Sequence, residues 1–392
     1  MNCNGKVRLL ILDSHPVQYR TPLYRFLASQ HWLELSVWYG DNYGVVPRSS
    51  GWGISDFTWD VDQLAGYDSR FLKNLRRKPD PSTFFGKINP GLLTEIGKKR
   101  PDAVLIFGYA SLFHWFSFIG AWRGRILVLY MADSNLAADP GGWKGWLKHA
   151  LLERLFARID AFLFIGSMNM QFYECYGVPK RKCFFAPYSV DNSFFRSEAE
   201  KWVSSRVQIR ESWGVQEGKD VLLFVGRLIG IKRPEEVLLA ASKIDNTHVV
   251  FCGSGPLECR LKLLAEELIP GRSTFLGFQN QGLLPAVYAS SDLLVLPSSY
   301  EPWGLVVNEA MASGLPAVAS IQSGSAHDLL PEEFRFESGD TDGLVRAILS
   351  WRRMRDQEPG RLLEWFSRKI ALYSFENVAI GFKDALGSCL RS

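Results

Sequence analysis

SSYEPWGLVVNEAMASGLPAV, residues 298–318, decides how this chain is read. The segment before it, DLLVLP (292–297), is an apolar run closed by proline, which predicts a buried strand and its end. Ser298 to Pro302 form a loop, and good helix formers run from about Gly304 to Ser313. Gly314 marks the helix stop, Pro316 cannot continue it, and AVAS begins a further strand. Strand, loop, helix and strand in this order are the unit of a parallel α/β sheet.

Two carboxylates stand out in the stretch. Glu301 lies in the loop, and Glu309 follows with seven residues between them. Glu309 is about five residues into the helix, roughly 7.5 Å along its axis at ~1.5 Å per residue. Between them lies a helix N-terminus, whose backbone amides and partial positive charge suit a phosphate. A diphosphate flanked by two polyols fits this spacing, with Glu301 on one sugar, the amides of Gly304, Leu305 and Val306 on the diphosphate, and Glu309 on a ribose diol. Two solvated surface charges are the alternative reading. A second stretch, VLLFVGRLIGIKRPEEVLLAA (221–241), favours the ligand. It is a strand ending in Gly226 and Arg227, with Lys232 before the next helix. Gly226 admits close backbone approach, Arg227 can grip a diphosphate through two N–H groups, and Lys232 adds a point charge. One cationic and one acidic loop at strand ends, where α/β sheets bind ligands, suit a nucleotide-sugar.

E-P-W-G-L-V-V-N-E-A-M-A-S-G-L-P together with G-R-L-x-x-x-K resembles retaining glycosyltransferase family 4 (glycosyl transferases group 1), over roughly residues 215–330. APYSVDNSFF (186–195) and YSFENVAIGFKDAL (373–386) extend the likeness. The resemblance implies a GT-B fold: two Rossmann-like α/β domains facing a cleft, the last helix crossing back to the first. It implies an acceptor domain over 1–195 joined by 373–392, and a donor domain over 196–372. It implies that Arg227 and Lys232 contact the donor diphosphate, that Glu301 faces the donor sugar and that Glu309 holds the ribose. The glycine turn at Gly253 and the strand exit at Phe278 fall beside the donor, the latter near the base. Implied chemistry is transfer from a nucleoside-diphosphate-sugar, UDP-linked among others, with retention and without a metal or other cofactor. The acceptor is a carbohydrate, a lipid-linked molecule or a small metabolite, as in surface polysaccharide assembly. An epimerase, a phosphorylase or a non-catalytic partner subunit on the same fold are the alternatives.

The likeness has gaps on the acceptor side. Many members carry paired glycines after the first strand; here KVRLLILD (6–13) leads into SHPVQYRTP, with His15, Gln18 and Arg20 as candidates. Many members also have a histidine after the strand that corresponds to PDAVLIFGY (101–109). Here Gly108 and Tyr109 follow, and the nearest histidine, His114, lies in an apolar helix. Asp133 and Asn135 end the strand RILVLYMADSN, Asp133 as an acceptor-orienting group or a helix N-cap.

Composition bounds the rest. The 392 residues suffice for two domains, and 47% hydrophobic with 22% charged residues is ordinary for globular proteins. A net charge of +4 does not call for nucleic acid. Six scattered cysteines without C-x-x-C read as reduced thiols of a cytoplasmic protein. The opening VRLLILDS is a strand rather than a secretion signal, and no apolar run approaches the ~20 residues of a membrane span. GSGPLE (253–258) lacks the third glycine of a dinucleotide site, and no P-loop motif occurs. Asp60 and Asp62 form a D-x-D pair, a metal-binding signature in GT-A enzymes but here a solvated turn. KNLRRK (73–78) is a basic cluster, read as a solvated face or a site for a phosphate-bearing partner. WKGWLKHALLERLFARID (143–160) is amphipathic; packing on its own sheet is the default, and contact with the inner membrane face is the alternative.

Overall fold

Most strands in the first half of the chain are short apolar runs followed by a helical segment, which returns the chain to the same edge and makes the strands parallel. The computed structural model describes residues 5–48, 57–76, 80, 83–136 and 142–391. It divides into two units. Unit 1 takes the described residues up to Tyr188 together with the helix Phe375–Arg391, and unit 2 takes Ser189–Ser374.

Unit 1 contains β1 (Val7–Asp13), β2 (Leu33–Tyr39), β3 (Asp68–Phe71), β4 (Ala103–Phe107), β5 (Leu127–Met131), β6 (Ala161–Phe164) and β7 (Cys183–Phe185). They lie in the order β3-β2-β1-β4-β5-β6-β7, all parallel. Two of these strands escape a sequence reading. β3 is D-S-R-F, polar and mostly exposed at the sheet edge, and β7 lies in a stretch that reads as a linker. The aromatic residues fill the interior: Phe118, Tyr130, Phe156, Phe162, Phe172 and Tyr173 join one buried cluster, with ring centroids such as Tyr130–Phe162 at 5.7 Å. Each such ring contributes about 1.5–3 kcal/mol by leaving water. The helix Phe375–Arg391 packs on β6 and β7. Gly381 permits this, since a Cβ there would stand 2.0 Å from the Phe185 carbonyl oxygen.

Unit 2 contains β8 (Asp220–Val225), β9 (Thr247–Cys252), β10 (Ser273–Gly277), β11 (Leu293–Leu296), β12 (Ala317–Ser320) and β13 (Arg335–Phe336). Their order is β10-β9-β8-β11-β12-β13, again all parallel. The boundary falls at Tyr188–Ser189 rather than at Arg196. The reason is the helix Asn192–Trp202, capped by Asp191, which packs on the helices Leu284–Ala289 and Leu305–Ala312 and sets Phe195 against Tyr288. Both sheets reverse their winding direction once. In unit 1 the reversal lies between β1 and β4, in unit 2 between β8 and β11. Ligands of open α/β sheets bind outside the strand ends at such points. Among the described residues no helix is long and apolar enough to cross a membrane.

Candidate functional site

The two motif loops of unit 2 leave neighbouring strands at its switch point, where Leu222 and Leu223 of β8 pair with Leu293 and Leu294 of β11. At the end of β8 the chain turns at Gly226, with φ +151°. Gly253, at the end of β9, lies so close that a Cβ on it would meet the Gly226 carbonyl oxygen at 1.9 Å. Its φ of +150° also excludes ordinary side chains. Hydrogen bonds from Gly226 N to Cys252 O and from Gly253 N to Gly277 O, at 3.0 and 2.8 Å, tie the ends of β8, β9 and β10 together. Phe278, half-buried, follows directly on β10. Arg227 projects into solvent and, among the described residues, has no carboxylate partner.

Lys232 reaches the second loop: its Nζ donates to Glu301 Oε2, and both side chains are partly buried. Ser299 N also donates to Ile231 O at 2.9 Å, so backbone and side chain join the cationic and acidic loops. Gly304, with φ +94°, turns the chain into the helix Leu305–Ala312, which presents the amides of Leu305 and Val306 at its first turn. A Cβ on Gly304 would meet Leu296 Cδ2 at 2.7 Å, and its positive φ strains any residue but glycine. The loop after β12 supports this turn and is missed by sequence reasoning. Gly324 N donates to Glu301 O at 3.3 Å, Ser325 N to Trp303 O at 2.9 Å, and Ser323 Oγ to Trp303 O at 2.7 Å. The available signal was Q-S-G-S directly after a strand, with Gly324 packed so tightly that a Cβ would stand 2.5 Å from Pro302 O.

Glu309 differs from Glu301. It is buried, with Tyr288 Oη donating to its Oε2 at 2.6 Å. Loss of water pushes its carboxyl up to about 7, only partly offset by the Tyr288 hydrogen bond. No cation pairs with it among the described residues. A larger cavity of about 740 Å³ in unit 2, lined by Val203, Trp351 and Phe366 among others, lies at the opposite strand ends and holds none of Arg227, Lys232, Glu301 and Glu309.

Unit 1 has a cavity of about 260 Å³ at the ends of β1, β4 and β5. Asp13, wholly buried, binds Arg20 (3.1 Å) and accepts from Tyr24 Oη (2.6 Å). Arg20 lies over the Phe107 ring at 4.6 Å. Lys87, which the sequence did not single out, is buried in the wall, and burial lowers its pKa. Asp133 lies at the rim. It still reaches solvent, yet the surrounding protein removes enough water to raise its carboxyl, with Arg20 opposing.

The other acceptor-side candidates divide. His114 lines the cavity but is also committed to the fold: its Nδ1 accepts from Ser111 N at 3.2 Å in a capping box at the start of the helix Leu112–Arg123. His15 is not on the cavity wall; its Nδ1 lies 2.7 Å from Ser14 Oγ and its ring edges onto Tyr43. Burial and the cations Arg20 and Lys87 push both histidines down to about 3, so both are neutral. Tyr109 packs against the apolar core rather than into the cavity, and Asn135 is buried away from it. The pair Asp60 and Asp62 is exposed, and Asp62 accepts from the amides of Leu64 and Ala65 in a turn. Arg76 of the basic cluster donates to Phe85 O; residues 77–78 lie outside the described residues. Cys175, Cys183, Cys252 and Cys259 are thiols outside any disulfide.

The model of the family described as glycosyl transferases group 1 matches residues 205–361. The chain is 41% identical over 123 residues to an uncharacterised glycosyltransferase of Methanocaldococcus jannaschii, 37% over 164 to the sulfoquinovosyl transferase of Arabidopsis thaliana, and 38% over 127 to the D-inositol 3-phosphate glycosyltransferase of Mycolicibacterium smegmatis. These matches take in 30%, 39% and 31% of this chain but only 32%, 31% and 29% of the relatives. The fold is similar to that of Anabaena HepE, solved with UDP (TM-score 0.71, 15% identity, 97% of this chain and 100% of that one). It is similar also to sucrose-phosphate synthase of Thermosynechococcus elongatus (TM-score 0.70, 19% identity, 98% and 100%). Residues 205–361 are thus similar to the glycosyl transferases group 1 family, and the two parallel-sheet units are those of the GT-B fold.

Proposed function

We propose that the chain is a retaining glycosyltransferase, moving a sugar from a nucleoside diphosphate to an acceptor hydroxyl. The observation that carries this is the convergence of Arg227, Lys232, Glu301 and the first amides of the helix Leu305–Ala312 on two adjacent strand ends of unit 2. As the sugar–phosphate bond breaks, negative charge grows on the leaving diphosphate. Arg227, Lys232 and the amides of Leu305 and Val306 oppose that charge, Lys232 and the amides being held in place before the reaction. These groups supply the positive charge, so a divalent ion is not needed for the step. Glu301, held by Lys232, accepts hydrogen bonds from the donor sugar, and Glu309 accepts them from the ribose. Gly226 and Gly253 leave room for the diphosphate, and Phe278 borders the base. The acceptor enters the unit 1 cavity, where Asp133 orients its hydroxyl. His15 and His114, held neutral, are poor bases, which fits a reaction whose acceptor proton passes to the leaving phosphate. A UDP-linked donor is the first to test, because HepE was solved with UDP.

The test follows the anomeric signal by proton NMR while the enzyme turns over an α-linked nucleotide-sugar, with water as the slow acceptor. The expected result is release of nucleoside diphosphate with the α-sugar appearing first. A β-sugar appearing first contradicts retention, and conversion of the sugar without a stoichiometric acceptor product points to an epimerase.

A further inference from the structure

The helix Gly142–Phe156 turns its apolar stripe outward. Leu152, Leu155 and Phe156 are buried against unit 1, whereas Trp143 and Trp146 are each 72% exposed, Leu147 54% and Leu151 47%. At about 100° per residue the four exposed side chains fall within one sector of roughly 140°, opposite the buried three. The default expectation from sequence, that this stripe packs onto the sheet, is therefore reversed. Packing instead uses the narrower set of Leu152, Leu155 and Phe156.

We propose that this helix docks unit 1 on an anionic lipid surface. The first argument is the chemistry of the stripe. Indoles have an apolar body and a polar N–H, and they settle at the boundary between acyl chains and head groups. The second is charge. Residues 142–158 carry Lys144, Lys148, Arg154 and Arg158 against Glu153, four positive charges and one negative, a net +3. Lys144 Nζ lies 5.9 Å from the Trp143 ring, so a cation borders the indole that would insert. The third is shape: the exposed side chains stand on the convex face of one helix, which matches a plane with an apolar interior and acidic head groups. The docking does not depend on the donor reading. It has one consequence for it: Asp133 precedes Gly142 by nine residues (142 − 133), at most about 30 Å of chain, so the unit 1 cavity would lie within that distance of the bilayer.

The test is co-sedimentation of the full chain with vesicles of phosphatidylcholine alone and with about a third phosphatidylglycerol, at low and high salt. The wild type is expected to sediment with the anionic vesicles and to be released by salt. The double variants Trp143→Ala/Trp146→Ala and Lys144→Glu/Arg154→Glu should each bind at least about tenfold more weakly, with unchanged thermal midpoints because all four side chains are exposed. Absence of sedimentation with anionic vesicles overturns the proposal, as does unchanged binding by both variants. A dimer in solution that the tryptophan variant dissolves, without vesicle binding, would assign the stripe to a second copy of the chain.

Discussion

Replacing Glu309 with glutamine is expected to stabilise unit 2 and weaken nucleotide binding at the same time. Burial raises the Glu309 carboxyl from 4.5 to about 7. Below 4.5 both the folded and unfolded chains hold this proton, and stability does not change. Between 4.5 and about 7 the unfolded chain releases it while the folded chain keeps it, so stability falls as pH rises. Above 7 the whole penalty is present, about 3 kcal/mol for a shift of roughly 2.5 units. Glutamine has no proton to lose and can still accept from Tyr288. Glu309→Gln should therefore unfold several degrees above the wild type at pH 8 and near it at pH 4.5. The gain is offset in function. A ribose diol donating to the carboxylate favours its charged form, so wild-type donor binding should tighten as pH rises through about 7. In Glu309→Gln that dependence should flatten, and affinity at pH 8 should fall by about 1.5–3 kcal/mol, the contribution of hydrogen bonds to a charged group. Calorimetric titration across the pH range and thermal melts without ligand measure the two halves separately. Undiminished affinity in the variant removes the ribose from Glu309, whatever the melts show.

Arg227→Ala is expected to fold normally and to lose turnover by about 10²–10³-fold, the usual effect of removing one donor to a developing charge. The side chain is exposed and pairs with no carboxylate among the described residues, so its removal leaves no buried charge behind. Lysine at the same place should recover only part of the rate, because it cannot make two parallel hydrogen bonds. Lys232→Ala is a different experiment. It strips Glu301 of its partner, so loss of turnover there mixes two causes. Turnover of Arg227→Ala within about twofold of the wild type would move the diphosphate to another part of the molecule.

The interior strands were legible because a strand buried on both faces must be a continuous apolar run, as in LLILD, AVLIF and DLLVL. The edge strands β3 and β13 were not, since one side of an edge strand needs no apolar partner and two to four residues suffice. Helix Gly142–Phe156 shows the limit of periodicity. The sequence shows that an apolar stripe exists, but the direction it faces depends on which neighbours pack more closely. In unit 2, Gly226, Gly304 and the two glutamates were readable because each sits in a continuous strand–loop–helix stretch whose residue types announce it. Gly324 and the serines beside it were not, because their partners Glu301 and Trp303 lie some twenty residues earlier. The unit 1 cavity was the least legible. Asp13 and Arg20, Lys87, and Asp133 come from three separated segments, and no short motif announces a site built that way.

A thermal melt of the wild type, Arg227→Ala and Glu309→Gln with a panel of nucleoside diphosphates, each with and without EDTA, tests the donor site most directly. Saturation at about a hundred times Kd should stabilise the wild type by roughly 2.7 kcal/mol, independent of EDTA, with smaller shifts in both variants. If no nucleoside diphosphate shifts the wild type, or if the shift survives in both variants, the donor is not held by these residues. A shift that appears only with a divalent ion would contradict the metal-independent grip of Arg227 and Lys232 and direct attention to Asp60 and Asp62.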